Sequence, residues 1–438
     1  MRFTSLFVAG KQACLCLIVY GKERNVDMDI KITPQKLTGK VSIPSSKSIT
    51  HRALICAALA KGNSVLNGIS FSDDINATVS ALEQLGAKFE IDTNKITVHG
   101  ITQLPKTAEI DCLESGSTLR FLIPIAAALG VNSTFIGKGR LPERPITSYI
   151  RELSKKGIIF NYNNTMPFAI NGRLQSGIFH IEGDVSSQFI TGLLFALPIL
   201  EGDSKIILTS PLESKPYVDM TIDCLKNFGI EINEIENVYL VKGNQKYLPQ
   251  NLTIEGDYSQ AAFFFVANAI GNNVQIDNLF QKSLQGDKKI IEILNEIGYN
   301  NNNGLDCFSI NATDIPDLVP ILAVLGCFCN GTSKIYGAGR LKIKESDRLI
   351  AISSVLNTIG GKVTPTDDGL IIKPITEFSG GITNSFGDHR IVMSLAIAAT
   401  RSTKPIIIQN ADAVNKSYPS FFEDYINLGG IADVINME

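Results

Sequence analysis

Cations recur in this chain where apolar helices begin or end: Lys47 and Arg52, Arg120, Arg144, Lys215, Lys344 and Arg348, Arg390, and Lys416. The chain as a whole is not basic. Lys and Arg number 40 against 43 Asp and Glu, a net charge of -3, so no global field draws it to nucleic acid or to an anionic membrane. The cations are therefore local. Several stand beside Ser or Gly at a helix start, where unpaired backbone N–H groups and the positive end of the helix dipole already favour phosphate or carboxylate. Together they point to a small ligand carrying several negative charges.

In PSSKSITHRA, from Pro44 to Ala53, Ser46 or Ser48 is suited to cap a helix, Lys47 places an ammonium at its N-terminus, and Arg52 follows one turn later. ESGSTLR offers Gly116, where backbone could touch a ligand, and then Arg120 on the helix just begun. In GRLPERPI, Arg144 lies between Glu143 and Pro145. SSQF sets Ser186, Ser187 and Gln188 at the mouth of a buried helix, two hydroxyls and an amide suited to phosphate and sugar-like hydroxyls. SKPY adds the hydroxyl of Ser214 and the cation of Lys215. Asp317 in DIPDLVP heads a buried helix, and KESDR sets Lys344, Glu345, Asp347 and Arg348 within one turn. GDHR, ending at Arg390, and NKSYP, with Lys416, repeat the pattern. Each motif alone has an ordinary reading as a capped helix or a surface ion pair.

The elements that must position these residues follow from a six-fold repeat. One helix type is apolar throughout: HRALICAALA, STLRFLIPIAAALG, SQFITGLLFALPIL, SQAAFFFVANAIG, DLVPILAVLG and HRIVMSLAIAA. The other is amphipathic and stops at a glycine suited to the left-handed position after a helix, as in INATVSALEQLGAKFEI and VDMTIDCLKNFGIEI. Six α/β units, each with a buried and an exposed helix, suggest sheets packed around central helices. A polar stretch, VKGNQKYLPQNLTIEGD, divides them three and three. The expected domains are residues 45–250, and residues 28–44 with 251–438, the opening segment pairing with the second half so that the chain crosses twice. Residues 1–27 hold two apolar runs too short to span a bilayer and read as an extension outside the fold. The eight Cys (Cys14, Cys16, Cys56, Cys112, Cys224, Cys307, Cys327, Cys329) lie mostly in apolar runs and read as reduced core thiols. His51, His99, His180 and His389 have no metal-ligand spacing, so no metal is expected.

Taken in order, PSSKS..HR, SGSTLR, ERPI, SSQF, SKPY, KESDR, GDHR and KSYP resemble the 5-enolpyruvylshikimate-3-phosphate (EPSP) synthase family, from about residue 28 to the C-terminus. The resemblance implies a two-domain inside-out α/β barrel, each domain three βαβαββ units around buried helices. It implies transfer of the enolpyruvyl group of phosphoenolpyruvate to the 5-hydroxyl of shikimate 3-phosphate, with phosphate released and no cofactor. Shikimate 3-phosphate would meet Lys47, Ser48, Arg52, Ser186, Ser187, Gln188, Ser214, Asp317 and Lys344. Phosphoenolpyruvate would meet Lys47, Gly116, Arg144, Gln188, Arg348, Arg390 and Lys416. Asp317 would take the hydroxyl proton and Glu345 would protonate the methylene, with Lys47 the other acid/base candidate. A cytoplasmic monomer, closing on its first substrate and open to glyphosate at Gly116, is the further expectation. Three residues depart from the family pattern: Glu114 where many members carry Asn, Phe121 where well-known members carry Pro, and Arg340 where Asn is frequent. Phe121 puts the shape of the adjoining helix, and hence glyphosate sensitivity, in question.

Three rival readings are weaker. The sister transferase acting on a UDP-linked amino sugar typically carries a reactive Cys in the loop that here reads GKGRLPERPI. An RNA-end phosphate cyclase needs a basic track, which the charge balance denies. A non-catalytic anion-binding protein would have no use for Asp317 and Glu345.

Overall fold

The computed structural model describes residues 28–299 and 304–437. The expected extension at 1–27, with Cys14 and Cys16, lies outside the described residues.

Buried and amphipathic helices alternate along the chain: α1 Lys47–Leu59, α2 Asp73–Gln84, α3 Gly116–Leu129, α4 Thr147–Ser154, α5 Ser187–Ala196, α6 Lys215–Asn227, α7 Tyr258–Ala269, α8 Lys289–Glu296, α9 Val319–Gly326, α10 Arg348–Thr358, α11 His389–Ala399 and α12 Phe421–Asn427. The odd-numbered helices are the apolar ones, and nearly every residue of α3, α5, α9 and α11 is buried. The even-numbered ones each end at a glycine with positive φ: Gly86, Gly157, Gly229, Gly298, Gly360 and Gly429. Five of these stops are closed by a bond from the residue after the glycine to a carbonyl five positions back, as in Ala87 to Leu82 and Ile230 to Leu225. Glycine reaches that left-handed turn without Cβ strain, so the amphipathic helix ends and the chain turns into a strand.

One unit shows how strand and helix are joined. Strand Thr107–Asp111 leads through α3 to a parallel neighbour, Asn132–Ile136. The chain continues through α4 to Ile158–Asn161 and Phe168–Gly172, which complete a four-stranded sheet by antiparallel pairing. That is a βαβαββ unit, and the fold is a two-domain α/β one built from such units. Each half has its own hydrophobic core. One runs from Ala53 to Ile254; the other joins Ile30 to Ile43 with Ala261 to Leu428. The opening strands belong to the second: Met28–Thr33 lies between Ile406–Gln409 and Ile431–Met437, and Thr38–Ser42 pairs with Asn273–Asp277.

The chain therefore passes twice between the halves. The two passages run side by side, with Ser46 N–H to Glu255 O at 2.7 Å and Asp257 N–H to Pro44 O at 2.9 Å. The second passage falls at 254–257 rather than at 250, because Asn251–Thr253 adds to the first half's sheet alongside Asn63–Asn67. Among the cysteines, Cys56, Cys112, Cys224, Cys327 and Cys329 are buried, whereas Cys307 is exposed and is not a core thiol.

Candidate active site

The first turns of α1, α3, α5, α7 and α11, and the 3-10 turn Pro316–Leu318 that leads into α9, open into one cleft between the two cores. Its lining includes Lys47 and Ser48 of α1, Gly116 and Ser117 of α3, Ser187 and Gln188 of α5, Ser259 and Gln260 of α7, Asp317 just ahead of α9, and His389 and Arg390 of α11. Six helix dipoles thus point their positive ends at one volume, which favours anions before any side-chain charge is counted. The capping differs from the expectation. The hydroxyl of Ser46 makes no cap bond; Asp257 Oδ2 accepts from Lys47 N–H at 3.0 Å instead. Asp257 also caps α7 through Ser259 and Gln260 N–H, so one carboxylate serves a helix from each half.

On the first half's wall, two buried arginines, Arg52 and Arg120, are held by neutral groups. Arg52 is buried and donates to Thr221 Oγ1 at 2.9 Å, Tyr217 O at 2.8 Å and Ser48 O at 2.6 Å, with its guanidinium 5.5 Å from the Phe121 ring centroid. Burial lowers its pKa to about 10. Arg120 donates to Gln188 Oε1 at 2.8 Å and Gln188 to Ser117 Oγ at 2.9 Å. Burial, then the neighbouring Arg144, lowers Arg120 to about 9. The Nε–H groups of Arg120 and Arg144 are buried without a protein acceptor. Gly116 lies against both: a Cβ there would stand 2.7 Å from Arg144 Nη1 and 3.5 Å from Arg120 Nη1. Phe121 does not interrupt the helix; α3 runs through it, and its ring is buried edge-on against Phe195.

On the second half's wall, cations are held by carboxylates. Arg348 is buried and pairs with Asp317 at 2.7 Å, Glu345 at 2.7 Å and Asp388 at 2.8 Å. Arg390 reaches Asp317 Oδ2 at 3.0 Å. Burial alone would raise Asp317, but Arg390, Lys344 and Arg348 outweigh it and hold the carboxylate well below its usual range. Glu345 is held low in the same way, by Arg348, Arg144 and Lys416 against burial. Burial lowers Lys344 to about 8, against the pull of Asp317. Behind this wall Asp287 accepts from Ser259, while its Oδ1 has no donor. Burial, then the charge of Asp317, raises it to about 7.

The walls meet across the cleft. Tyr217 O–H donates to Asp317 Oδ2 at 2.8 Å, Arg144 pairs with Glu345 at 3.3 Å, Lys416 with Glu114 at 3.2 Å, and Arg340 with Glu213 and with Ser214 Oγ at 2.8 Å. Lys47 pairs with Asp74 at 2.7 Å within the first half.

The structure brings Lys47, Ser48, Arg52, Gly116, Arg144, Ser186, Ser187, Gln188, Ser214, Asp317, Lys344, Glu345, Arg348 and Arg390 into this one lining. Lys416 is beside it, buried in the field of Asp74, Glu345 and Glu114. Lys215 is not in the lining: its ammonium pairs with Asp219 and Glu234 on an exposed face. Tyr217, Asp74, Asp257, Asp388 and His389 join the site without having been singled out. Of these, Asp257 and Asp388 carry a signal in the sequence, since each is an Asp directly before an apolar helix.

The comparisons agree with one another. A family profile described as EPSP synthase (3-phosphoshikimate 1-carboxyvinyltransferase) matches residues 32–425. The 3-phosphoshikimate 1-carboxyvinyltransferase of Clostridium novyi is 47% identical over 431 residues, covering 93% of this chain and 99% of that protein. That of Clostridium kluyveri is 46% identical over 417 residues, covering 92% and 98%. A solved EPSP synthase from Acinetobacter baumannii superposes with a TM-score of 0.79 at 25% identity, over 93% of this chain and all of that one.

Proposed function

This chain belongs to the EPSP synthase family, and from that membership we propose how its cleft divides the work of the reaction. The enzyme is a 3-phosphoshikimate 1-carboxyvinyltransferase: it moves the enolpyruvyl group of phosphoenolpyruvate to the 5-hydroxyl of shikimate 3-phosphate and releases phosphate, a step of aromatic biosynthesis. The observation that carries the assignment of roles is Asp317, a half-buried carboxylate bonded at once by Tyr217, Arg348 and Arg390 where the walls meet.

Shikimate 3-phosphate takes the first half's wall. Arg52 and Lys47 offer two cations, Ser48, Ser186, Ser187 and Ser214 hydroxyls, and Gln188 an amide for its phosphate and ring oxygens, with Asp317 and Lys344 facing it from the other half. Phosphoenolpyruvate takes Lys47, Gly116, Arg144, Gln188, Arg348, Arg390 and Lys416. Two phosphates and two carboxylates then share one cleft, and their repulsion is offset only by closely placed cations and helix ends.

In the addition step the C3 methylene receives a proton, the 5-hydroxyl oxygen bonds to C2, and the hydroxyl proton passes to Asp317. The tetrahedral product then loses a C3 hydrogen as a proton while the C2–O bond to phosphate breaks and the departing phosphate takes up the proton held by Asp317, restoring the double bond and the ionised base. Glu345 gives and recovers the C3 proton, with Lys47 as the alternative group. Without substrate, Glu345 is held ionised by Arg348 and Arg144. An arriving carboxylate competes for those guanidiniums, weakens their hold on Glu345 and raises its proton affinity. Binding of phosphoenolpyruvate thus arms its own acid.

The same reading makes the two halves, joined at residues 44–46 and 254–257, two domains that close on shikimate 3-phosphate and expel water before the second substrate reacts. It makes the enzyme a cytoplasmic monomer, since one chain supplies both walls. Among the described residues no helix is long and apolar enough to cross a membrane. Glyphosate is expected to compete with phosphoenolpyruvate beside Gly116, where a Cβ would collide with Arg144; no inhibition at millimolar glyphosate, with phosphoenolpyruvate near its KM, would refute this.

The test is phosphate release from phosphoenolpyruvate with shikimate 3-phosphate, and in parallel with UDP-N-acetylglucosamine. Release with the first acceptor alone is expected. Release only with the UDP-sugar would overturn the acceptor, and silence with both would overturn the catalytic reading.

A further inference from the structure

Glu114 is the residue before the serine that caps α3, and it stands on the opposite side of the cleft from Lys416, 302 positions away. Two contacts tie them: Lys416 Nζ donates to Glu114 Oε2 at 3.2 Å and to Glu114 O at 3.3 Å. The lysine is buried while the glutamate side chain is 41% exposed. The backbone that carries the glutamate is nonetheless set by its surroundings. Leu113 before it takes a left-handed backbone, φ 47°, unusual for a branched side chain. Gly139, also at positive φ, passes so close that a Cβ there would stand 2.6 Å from Glu114 Oε1. The loop is thus shaped to present this carboxylate to the lysine.

We infer that Glu114 is a displaceable counter-ion that sets the enzyme's affinity for phosphoenolpyruvate. The inference rests on the assignment of Lys416 to that substrate. To bind Lys416, an anionic substrate must take the ammonium from Glu114, and the carboxylate left behind repels the newcomer. A neutral residue of the same shape keeps the backbone contact that orients Lys416 and removes both costs. The buried environment that makes Lys416 useful therefore comes with a built-in competitor, and the exposure of Glu114 lets that competitor swing into water once displaced.

The test is steady-state phosphate release with shikimate 3-phosphate saturating, comparing wild type, Glu114→Gln, Lys416→Met and the double variant. Glu114→Gln is expected to lower the KM for phosphoenolpyruvate about two- to five-fold, the range of a partly exposed ion pair, with kcat moving less than KM. The KM for shikimate 3-phosphate is the control, because a mere loosening of the cleft would raise both constants. Lys416→Met is expected to raise the KM for phosphoenolpyruvate by about ten-fold or more, and adding Glu114→Gln to it is expected to change nothing further. An unchanged or raised KM in Glu114→Gln, while Lys416→Met raises it, overturns the counter-ion role. So does an equal gain from Glu114→Gln in the Lys416→Met background, since the carboxylate would then act without the lysine. An unchanged KM in Lys416→Met itself removes the substrate assignment on which the inference stands.

Discussion

Within each half, the two walls of the cleft hold their buried arginines by opposite means. On the first half, Arg52 and Arg120 lean on hydroxyls, carbonyls and an amide, so their charge stays uncancelled and aimed at the ligand. On the second, Arg348 and Arg390 are wrapped in Asp317, Glu345 and Asp388. A wall of the first kind attracts an anion without any other partner and suits the substrate that binds first. A wall of the second kind is nearly self-neutralised; it gains little from an anion unless its carboxylates change partner or protonation state. The proposed acid–base groups, Asp317 and Glu345, accordingly lie on the second wall.

The sharpest way to break this contrast is Asp317→Asn. If the second wall does the proton transfer, kcat for phosphate release should fall about 10²- to 10⁴-fold while shikimate 3-phosphate still binds, as titration calorimetry would show. Near-normal turnover would remove Asp317 as the base. Next in size is stability. Asp388→Asn leaves Arg348 short of one buried charge partner and should cost about 3 kcal/mol in denaturant unfolding, whereas Thr221→Val, which takes a neutral partner from Arg52, should cost about 1 kcal/mol. Equal costs would mean that the two walls are not built differently. Arg52→Gln should weaken shikimate 3-phosphate binding about 10- to 100-fold, with a smaller effect on the KM for phosphoenolpyruvate.

The smallest expected effect is a pH dependence behind the second wall. Asp287 is raised to about 7 in the fold by burial and by Asp317. Its contribution is therefore fully present below the unfolded pKa, near 4, and is lost as pH rises through about 7. Asp287→Asn has no such loss. Its melting temperature relative to wild type should gain about 2–4 °C between pH 4 and pH 8; a constant difference would mean that Asp287 titrates normally.

The repeat was legible because helix periodicity and glycine stops are local. Gly86, Gly229 and Gly360 announce the turns they make, and the apolar helices announce their burial. The cations could be read for the same reason: each sits in a short motif at a helix start. Their partners could not. Tyr217 meets Asp317 across 100 residues and Arg348 meets Asp388 across 40, pairings that only the closed fold creates. Lys215 misled because a cation at a helix start looks alike whether it faces a cleft or, as here, Asp219 and Glu234 on the outside. The second passage was misplaced by a few residues because Asn251–Thr253 joins a sheet whose nearest strand lies 186 residues earlier, as in Asn251 beside Val65.

The position of strand Met28–Thr33 in the interior of a sheet, between Ile406–Gln409 and Ile431–Met437, has a consequence for how the chain is made. During synthesis this strand emerges long before its two partners: Ile32 pairs with Ile406 and Thr33 with Ile431. At translation rates of about 5–20 residues per second it waits roughly twenty seconds to over a minute with both edges open. The first half, contiguous and with its own core, can fold in that interval. The second must keep a strand whose Ile30 and Ile32 belong in its core out of wrong pairings until Ile406–Gln409 and Ile431–Met437 are made. Its assembly is the late, aggregation-exposed step of biogenesis, and substitutions in residues 28–42 should lower the yield of folded protein out of proportion to their effect on the finished enzyme.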